Sequence, residues 1–188
     1  MIKESVVKKR ILDVASRLLY EQGYNATGIN QIIDEADIAK ASFYNHFLSK
    51  RDLLSAYIIN AEQVWFEGLD NHISNIKDPH KKLLGLFDYR ADRQLRYRFG
   101  GCQFNKASAE APREDLELFE LVGHQKDRTK QSIKQILSTI KLSQPQLYSI
   151  DDLAEMIFFI IEGATVATSI YKDAKNLRNA KKLVEKLL

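Results

Sequence analysis

The chain has little of what breaks helices: three prolines and eight glycines punctuate 188 residues, a scarcity that favours long helices. A single cysteine, Cys102, excludes an internal disulfide and fits a reducing compartment. Histidine occurs only at positions 46, 72, 80 and 124, with no i, i+4 pair and no cysteine cluster. A metal site is therefore not expected. There is no phosphate-cradling glycine loop and no nucleophile elbow, so the sequence is read as non-enzymatic and free of cofactors. Long apolar runs are also missing. The richest stretch, "LAEMIFFIIEGATVATSIY" (153–171), is unbroken only from Met156 to Ile161, between Glu155 and Glu162. A membrane span needs about 20 largely uncharged residues, so this is read as a buried helix. The first residues, "MIKESVVKKRILDVASRLL", lack the organisation of a signal peptide. These absences predict a cytoplasmic protein with no membrane partner.

No one sign of charge dominates. The net charge is +3 with a pI near 8.8, and residues 1–50 carry seven Lys plus Arg against six Asp plus Glu, a net of +1. Such a balance permits an anionic partner, but binding then depends on placed contacts more than on bulk attraction.

What is present is helical periodicity throughout, and no stretch alternates as a strand would. Ser5 can cap a first helix with Ile11, Leu12, Ala15, Leu18 and Leu19 inward, ending at Gly23. Thr27 is placed to cap a second helix, and a third short one runs from about Ala39 to His46. Longer helices follow: Lys50 to about Ile76, Pro79 to about Phe99, a short one ending at Ala111, about Arg113 to Ile140, Asp151 or Asp152 to about Lys172, and a last one from about Leu177. The prediction is an all-α fold of about nine helices, with a three-helix head (1–49) and a larger helical bundle (50–188). Gln144–Pro145 marks one interruption.

The stretch "DIAKASFYNHFLSK" (37–50) spends four rings, an asparagine and two lysines where a structural helix would use Leu, Ala and Glu. At 100° per residue, Phe43 and Phe47 share one side, suited to packing on Ile32 and Ile33. Nearly opposite lie Ala41, Ser42 and Asn45. Tyr44 and His46 take the two flanks, and Lys40 sits at the N-terminal tip. That arrangement suits a helix in the DNA major groove. Asn45 can pair with adenine, Lys40 can reach guanine, and small Ala41 and Ser42 allow close approach. Tyr44, His46, Lys50, Thr27 and Gly28 are positioned for phosphates. The layout from Thr27 to Phe47 is that of a helix-turn-helix reader. Lys3, Lys8, Lys9 and Arg10 read either as an arm toward the DNA backbone or as a charged helix start.

"TGINQIIDEADIAKASFYNHFLSKRDLL" resembles the DNA-binding motif of the TetR family of bacterial transcriptional regulators, through Phe43-Tyr44, His46-Phe47 and "SKRDLL". Two positions depart from it: Asp37 stands where the family usually has Gly, and Ala39 where it usually has a Ser or Thr cap, a loss of about 1 kcal/mol. The resemblance implies a repressor that binds a pseudo-palindromic double-stranded operator as a homodimer and is released by a small-molecule effector. The competing reading is a helical ligand-binding or scaffold protein without DNA binding.

One short helix sees few base pairs, so a two-fold dimer is expected. The stripe Leu153, Ile157, Ile160, Ala164, Ala167 and Tyr171, with Leu183 and Leu187 of the last helix, is the candidate interface, serving the monomer core as well. The resemblance places an effector pocket in the body. Its candidate residues are Trp65, Phe66, Phe87, Tyr97, Phe104, Phe119 and Glu162, and the effector is expected to be small and largely apolar. Glu162 could oppose a cationic ligand or pair with a neighbouring cation, and pairing is preferred. "YRADRQLRYRFGGCQFNK" (89–106) carries five cations against Asp92, as a solvated face or as an attractor of anions. Cys102 is read as a small buried residue more readily than as a redox-sensing thiol.

Overall fold

The computed structural model describes residues 5–141 and 147–188. Lys3 and Gln144–Pro145 lie outside the described residues. Within them every regular element is a helix: α1 (Val6–Glu21), α2 (Ile29–Glu35), α3 (Lys40–Tyr44), α4 (Lys50–Ile73), α5 (Pro79–Arg96), α6 (Gln103–Glu110), α7 (Leu116–Leu137), α8 (Ile150–Tyr171) and α9 (Lys175–Leu187). They group into two units. One runs to Val64 and takes in Gln103–Val122; the other comprises Trp65–Cys102 and Gly123–Leu188.

In the first unit α1, α2 and α3 pack on one another. Ile11, Leu12, Ala15, Leu18, Ile32, Ile33, Phe43, Phe47, Leu53 and Leu54 form its interior. Gly23 closes α1 at φ +93°, donating its N–H to the Leu19 carbonyl at 3.2 Å. A Cβ there would push the end of the Glu110 side chain aside, and the left-handed backbone favours glycine at this position. Glu110 accepts from the Asn25 N–H at 2.7 Å, and Lys106 donates to the Tyr20 carbonyl. These contacts make α6, which the sequence reading assigned to the body, part of the first unit. Arg51 completes the set. Its Nη2 donates to Asp115 Oδ1 at 2.6 Å while Nε binds the other carboxylate oxygen.

In the second unit α5, α8 and α9 pack together. Leu83, Phe87, Ile133, Leu153, Ile157, Ile161, Leu177 and Val184 fill their core, joined by Trp65, Phe66 and Leu69 of α4. Gly68 lets Tyr89 reach in to donate to the Trp65 carbonyl at 3.0 Å; a Cβ at 68 would overlap the Tyr89 hydroxyl. α8 begins earlier than expected, because Ser149 caps it in a reciprocal box with Asp152. α5 stops three residues short of Phe99. Arg98 and Phe99 turn left-handed at φ 51° and 58°, and the Gln94 side chain ties the turn to Gly101 at 3.0 and 3.1 Å.

Along α7 and α8 runs a ladder of unlike charges. Lys126 meets Glu162 at 2.6 Å, Lys130 meets Glu155 at 3.7 Å, and Lys134 meets Asp151. The lysines recur every four residues on one face of α7. α8 alone among the described helices is long and apolar enough to cross a bilayer, but Leu153, Ile157, Ile161, Thr165 and Thr168 are buried within the unit and Glu162 is ion-paired. It is the unit's core helix.

Hydrogen bonding from Arg51 holds the Asp115 carboxyl below its ordinary range, and the Leu118 N–H adds to this. A depressed carboxyl contributes stability above the ordinary value, about 3.9, and loses it as pH falls through the folded value. Asp115→Asn is expected to destabilise the protein by about 1–2 kcal/mol at pH 7. The deficit should shrink below about pH 4, as read by urea unfolding across a pH series.

Candidate nucleic-acid interface

The four-residue link between α2 and α3 has a definite geometry. Asp37 is left-handed at φ 50°. Its N–H donates to the Asp34 carbonyl at 3.1 Å, and the Ile38 N–H reaches back to Ile33 at 3.3 Å. This is the double-bonded helix terminus that glycine usually makes, here made by aspartate. α3 then starts at Ala39, extended at ψ 146° and without a side-chain cap, as its residue type dictates.

Phe43 and Phe47 are 0% and 2% exposed, with ring centroids 5.9 Å apart. Anchored there, α3 turns Lys40, Ala41 and Asn45 fully outward, with Ser42 half-buried beside them. Tyr44 is 40% exposed and stacks edge-on against Phe43 at 5.3 Å, which leaves its hydroxyl end at the surface. His46 is half-buried, its Nε2 3.3 Å from Ser5 Oγ. Ser5 therefore serves the histidine and makes no side-chain cap for α1. Gly28 is exposed and opens α2, and an added Cβ there would meet nothing.

Two expected phosphate contacts need correction. Thr27 is wholly buried, and its hydroxyl donates to the Gly23 carbonyl at 2.7 Å, so it closes the loop after α1 and has no hydroxyl to offer outward. Lys50 is half-buried with its ammonium 4.3 Å from the Tyr24 ring centroid; burial lowers its pKa and outweighs the Glu110 charge, which raises it. The cap of α4 is as expected at Ser49, which accepts from the Asp52 N–H at 3.0 Å, and Asp52 answers by accepting from Leu48.

The candidate effector residues are divided between the two units. Trp65, Phe66 and Phe87 are core of the second unit, Phe104 is core of the first, and Tyr97 and Phe119 are surface side chains. Glu162 is held by two cations, Lys126 at 2.6 Å and Arg90 at 3.3 Å, and Arg90 lies over the Trp65 ring at 5.3 Å. Neither cation was singled out as its partner from the sequence; the four-residue lysine spacing on α7 was the available signal. A cavity in the first unit, between Leu19, Tyr24, Leu54, Tyr57 and Lys106, holds about 10 Å³, room for one water. Among the described residues no group of three acidic, histidine or cysteine side chains could hold a metal ion.

The family described as "Bacterial regulatory proteins, tetR family" matches residues 11–57, the stretch that builds α1 to α3 and opens α4. Over that stretch the chain is similar to the family's N-terminal DNA-binding domain. An uncharacterised helix-turn-helix transcriptional regulator of Lactococcus lactis is 34% identical over 97 residues, half of each chain. The transcriptional repressor KstR2 of Mycobacterium tuberculosis is 29% identical over 77 residues, 41% of this chain and 38% of the relative. The chain thus aligns with half or less of the curated relatives' length. In fold the likeness is complete: a TetR-family regulator from Streptomyces coelicolor superposes with a TM-score of 0.84 over 96% of this chain and 93% of its own, at 21% identity.

Among the described residues of the TetR-like head, Asp37 is the one non-glycine residue held left-handed. Asp37→Gly is expected to stabilise the unit by about 0.5–1 kcal/mol, and Asp37→Val to destabilise it by more than that. Both are read as shifts in the urea midpoint at constant slope.

Proposed function

We propose that the protein is a sequence-specific transcriptional repressor that binds an inverted-repeat operator as a homodimer and is released by a small-molecule effector. The observation that carries this reading is α3, whose outward side presents Lys40, Ala41 and Asn45 while its inward side is locked by two buried rings. A helix so divided can enter the major groove without disturbing its own packing. Asn45 reads adenine and Lys40 guanine; Tyr44 and His46 take the flanking phosphates, with the backbone at Gly28. The near-neutral head makes placed contacts the source of affinity. The cytoplasm, where the operator is, is the matching compartment.

Dimerisation needs a surface that the monomer leaves uncovered. Leu153 and Ile157 are not on it, being 0% exposed in the core of their own unit. The uncovered stripe of α8 is Phe159, Gly163, Val166 and Ile170, at spacings of four, three and four, with Tyr171 beside it and Ile160, Ala164 and Ala167 at its margin. On α9, Leu183 is 61% exposed and Leu187 half-buried. A Cβ at Gly163 meets nothing, leaving room for the helix of a second copy. These two helices from each protomer form the proposed interface.

Two measurements test the reading. Binding sites selected from a random duplex pool should contain an inverted repeat. On them Asn45→Ala is expected to forfeit about 1–3 kcal/mol of discrimination at one position of each half-site, whereas Tyr44→Phe weakens all sequences alike. If both variants bind as the parent does, the head is a scaffold and not a reader. Phe159→Glu should yield a folded monomer by sedimentation and circular dichroism; a persisting dimer would move the interface elsewhere.

A further inference from the structure

Ser5 has what a helix cap needs and does not act as one. Its backbone is extended at φ −61° and ψ 128°, and its carbonyl accepts the Lys9 N–H at 3.0 Å, so α1 begins there. Serine at such a position usually turns its oxygen onto the backbone N–H groups of the first turn. Here the side chain makes no cap hydrogen bond. Its Oγ lies instead 3.3 Å from Nε2 of His46, 41 positions along the chain. A second contact joins the same two places. The ammonium of Lys8, in the first turn of α1, stands 5.9 Å from the centre of the Phe47 ring. The start of α1 thus braces the two residues that trail α3.

What the Ser5 contact does follows from a count of hydrogens. A neutral imidazole has two nitrogens and one hydrogen, and the partner of one nitrogen decides which of them carries it. Nε2 is engaged with Ser5, which leaves Nδ1 as the nitrogen for a phosphate. If Nε2 carried the hydrogen and Ser5 accepted it, Nδ1 would meet the phosphate oxygen with a bare lone pair and repel it. If Ser5 donates, the hydrogen sits on Nδ1 and the phosphate receives a charge-assisted bond. A hydroxyl can donate or accept and rotates to suit. The imidazole lone pair, being the more basic, is the better acceptor of the two. The contact therefore selects, before any DNA arrives, the tautomer that a phosphate needs.

We infer that Ser5 is a positioning residue for His46: its hydroxyl donates to Nε2, holds the hydrogen of the neutral ring on Nδ1, and so makes His46 a phosphate donor. The inference rests on the repressor reading above, which sets His46 at a flanking phosphate. It adds to that reading a residue outside the stretch 11–57 that the family matches.

The test uses the full-length protein labelled with heavy nitrogen in its histidine rings. Long-range nitrogen–proton spectra distinguish the two tautomers directly, and His46→Gln identifies the signal. At a pH above the ring's own titration, read from the same spectra, the parent should carry the hydrogen on Nδ1. Ser5→Ala should let the Nε2–H form predominate, and Ser5→Asp, whose carboxylate can only accept, should do so more completely. Ser5→Thr keeps the hydroxyl and should restore the parent's tautomer. On duplexes selected from the random pool, Ser5→Ala should weaken binding about fivefold for all sequences alike, with Ser5→Thr close to the parent. A serine that merely capped α1 would leave the His46 tautomer unmoved in every variant. Nε2–H in the parent, a tautomer indifferent to Ser5→Ala, or parental DNA affinity in Ser5→Ala would overturn the assignment while leaving the repressor reading intact. A parent protein that binds no duplex at all would sink that reading, and the phosphate role of His46 with it.

Discussion

Phe43 and Phe47 sit beneath and just beyond α3, almost without solvent exposure, and α3 is only five residues long. A helix that short is unstable alone in water. Burying two phenylalanine rings contributes on the order of 1.5–3 kcal/mol each, and that contribution, with the left-handed turn at Asp37, is what holds α3 in place. The orientation of Lys40, Ala41 and Asn45 follows from it. So does the placing of Tyr44, whose ring rests edge-on against Phe43. No cap at Ala39 is available to share the task.

Among the described residues both units leave buried polar atoms without a hydrogen-bond partner, Ser16 Oγ in the first and three atoms in the second. In the first, Thr27 returns its hydroxyl to Gly23, Glu110 takes the Asn25 N–H, and Asp115 is bound twice by Arg51 and capped by Leu118. In the second, a belt of charge and amide groups crosses an otherwise apolar core and is left incomplete at three atoms. Incomplete buried networks are less stable than apolar ones of the same shape.

Most of the architecture was legible before the coordinates. The 3.6-residue spacing of Ile11, Leu12, Ala15, Leu18 and Leu19 defined α1 and its buried face, and all nine helices found among the described residues correspond to periodic stretches. Helix ends were less legible, because they turn on single backbone angles. α5 stops at Arg96 when two non-glycine residues go left-handed, and nothing in "YRFGG" announces that. The outward face of α3 was legible because helical period and the buried rings of Phe43 and Phe47 coincide there. Thr27 was misjudged for the opposite reason: a threonine before a helix looks like a cap, and only the return of the chain onto Gly23 shows it buried. Leu153 and Ile157 illustrate a further limit. An apolar stripe on a helix tells that a face is covered, but not whether its own unit or another copy covers it. The pairing of Glu162 with both Arg90 and Lys126 joins residues 72 and 36 positions apart, and no single sequence displays such a separation.

Because α3 divides its labour so cleanly between inward rings and outward polar groups, Lys40, Ala41 and Asn45 carry no part of the fold's integrity. Substitution at these positions is nearly free of structural penalty. The same division lets the outward surface vary while the rings that hold the helix stay unchanged.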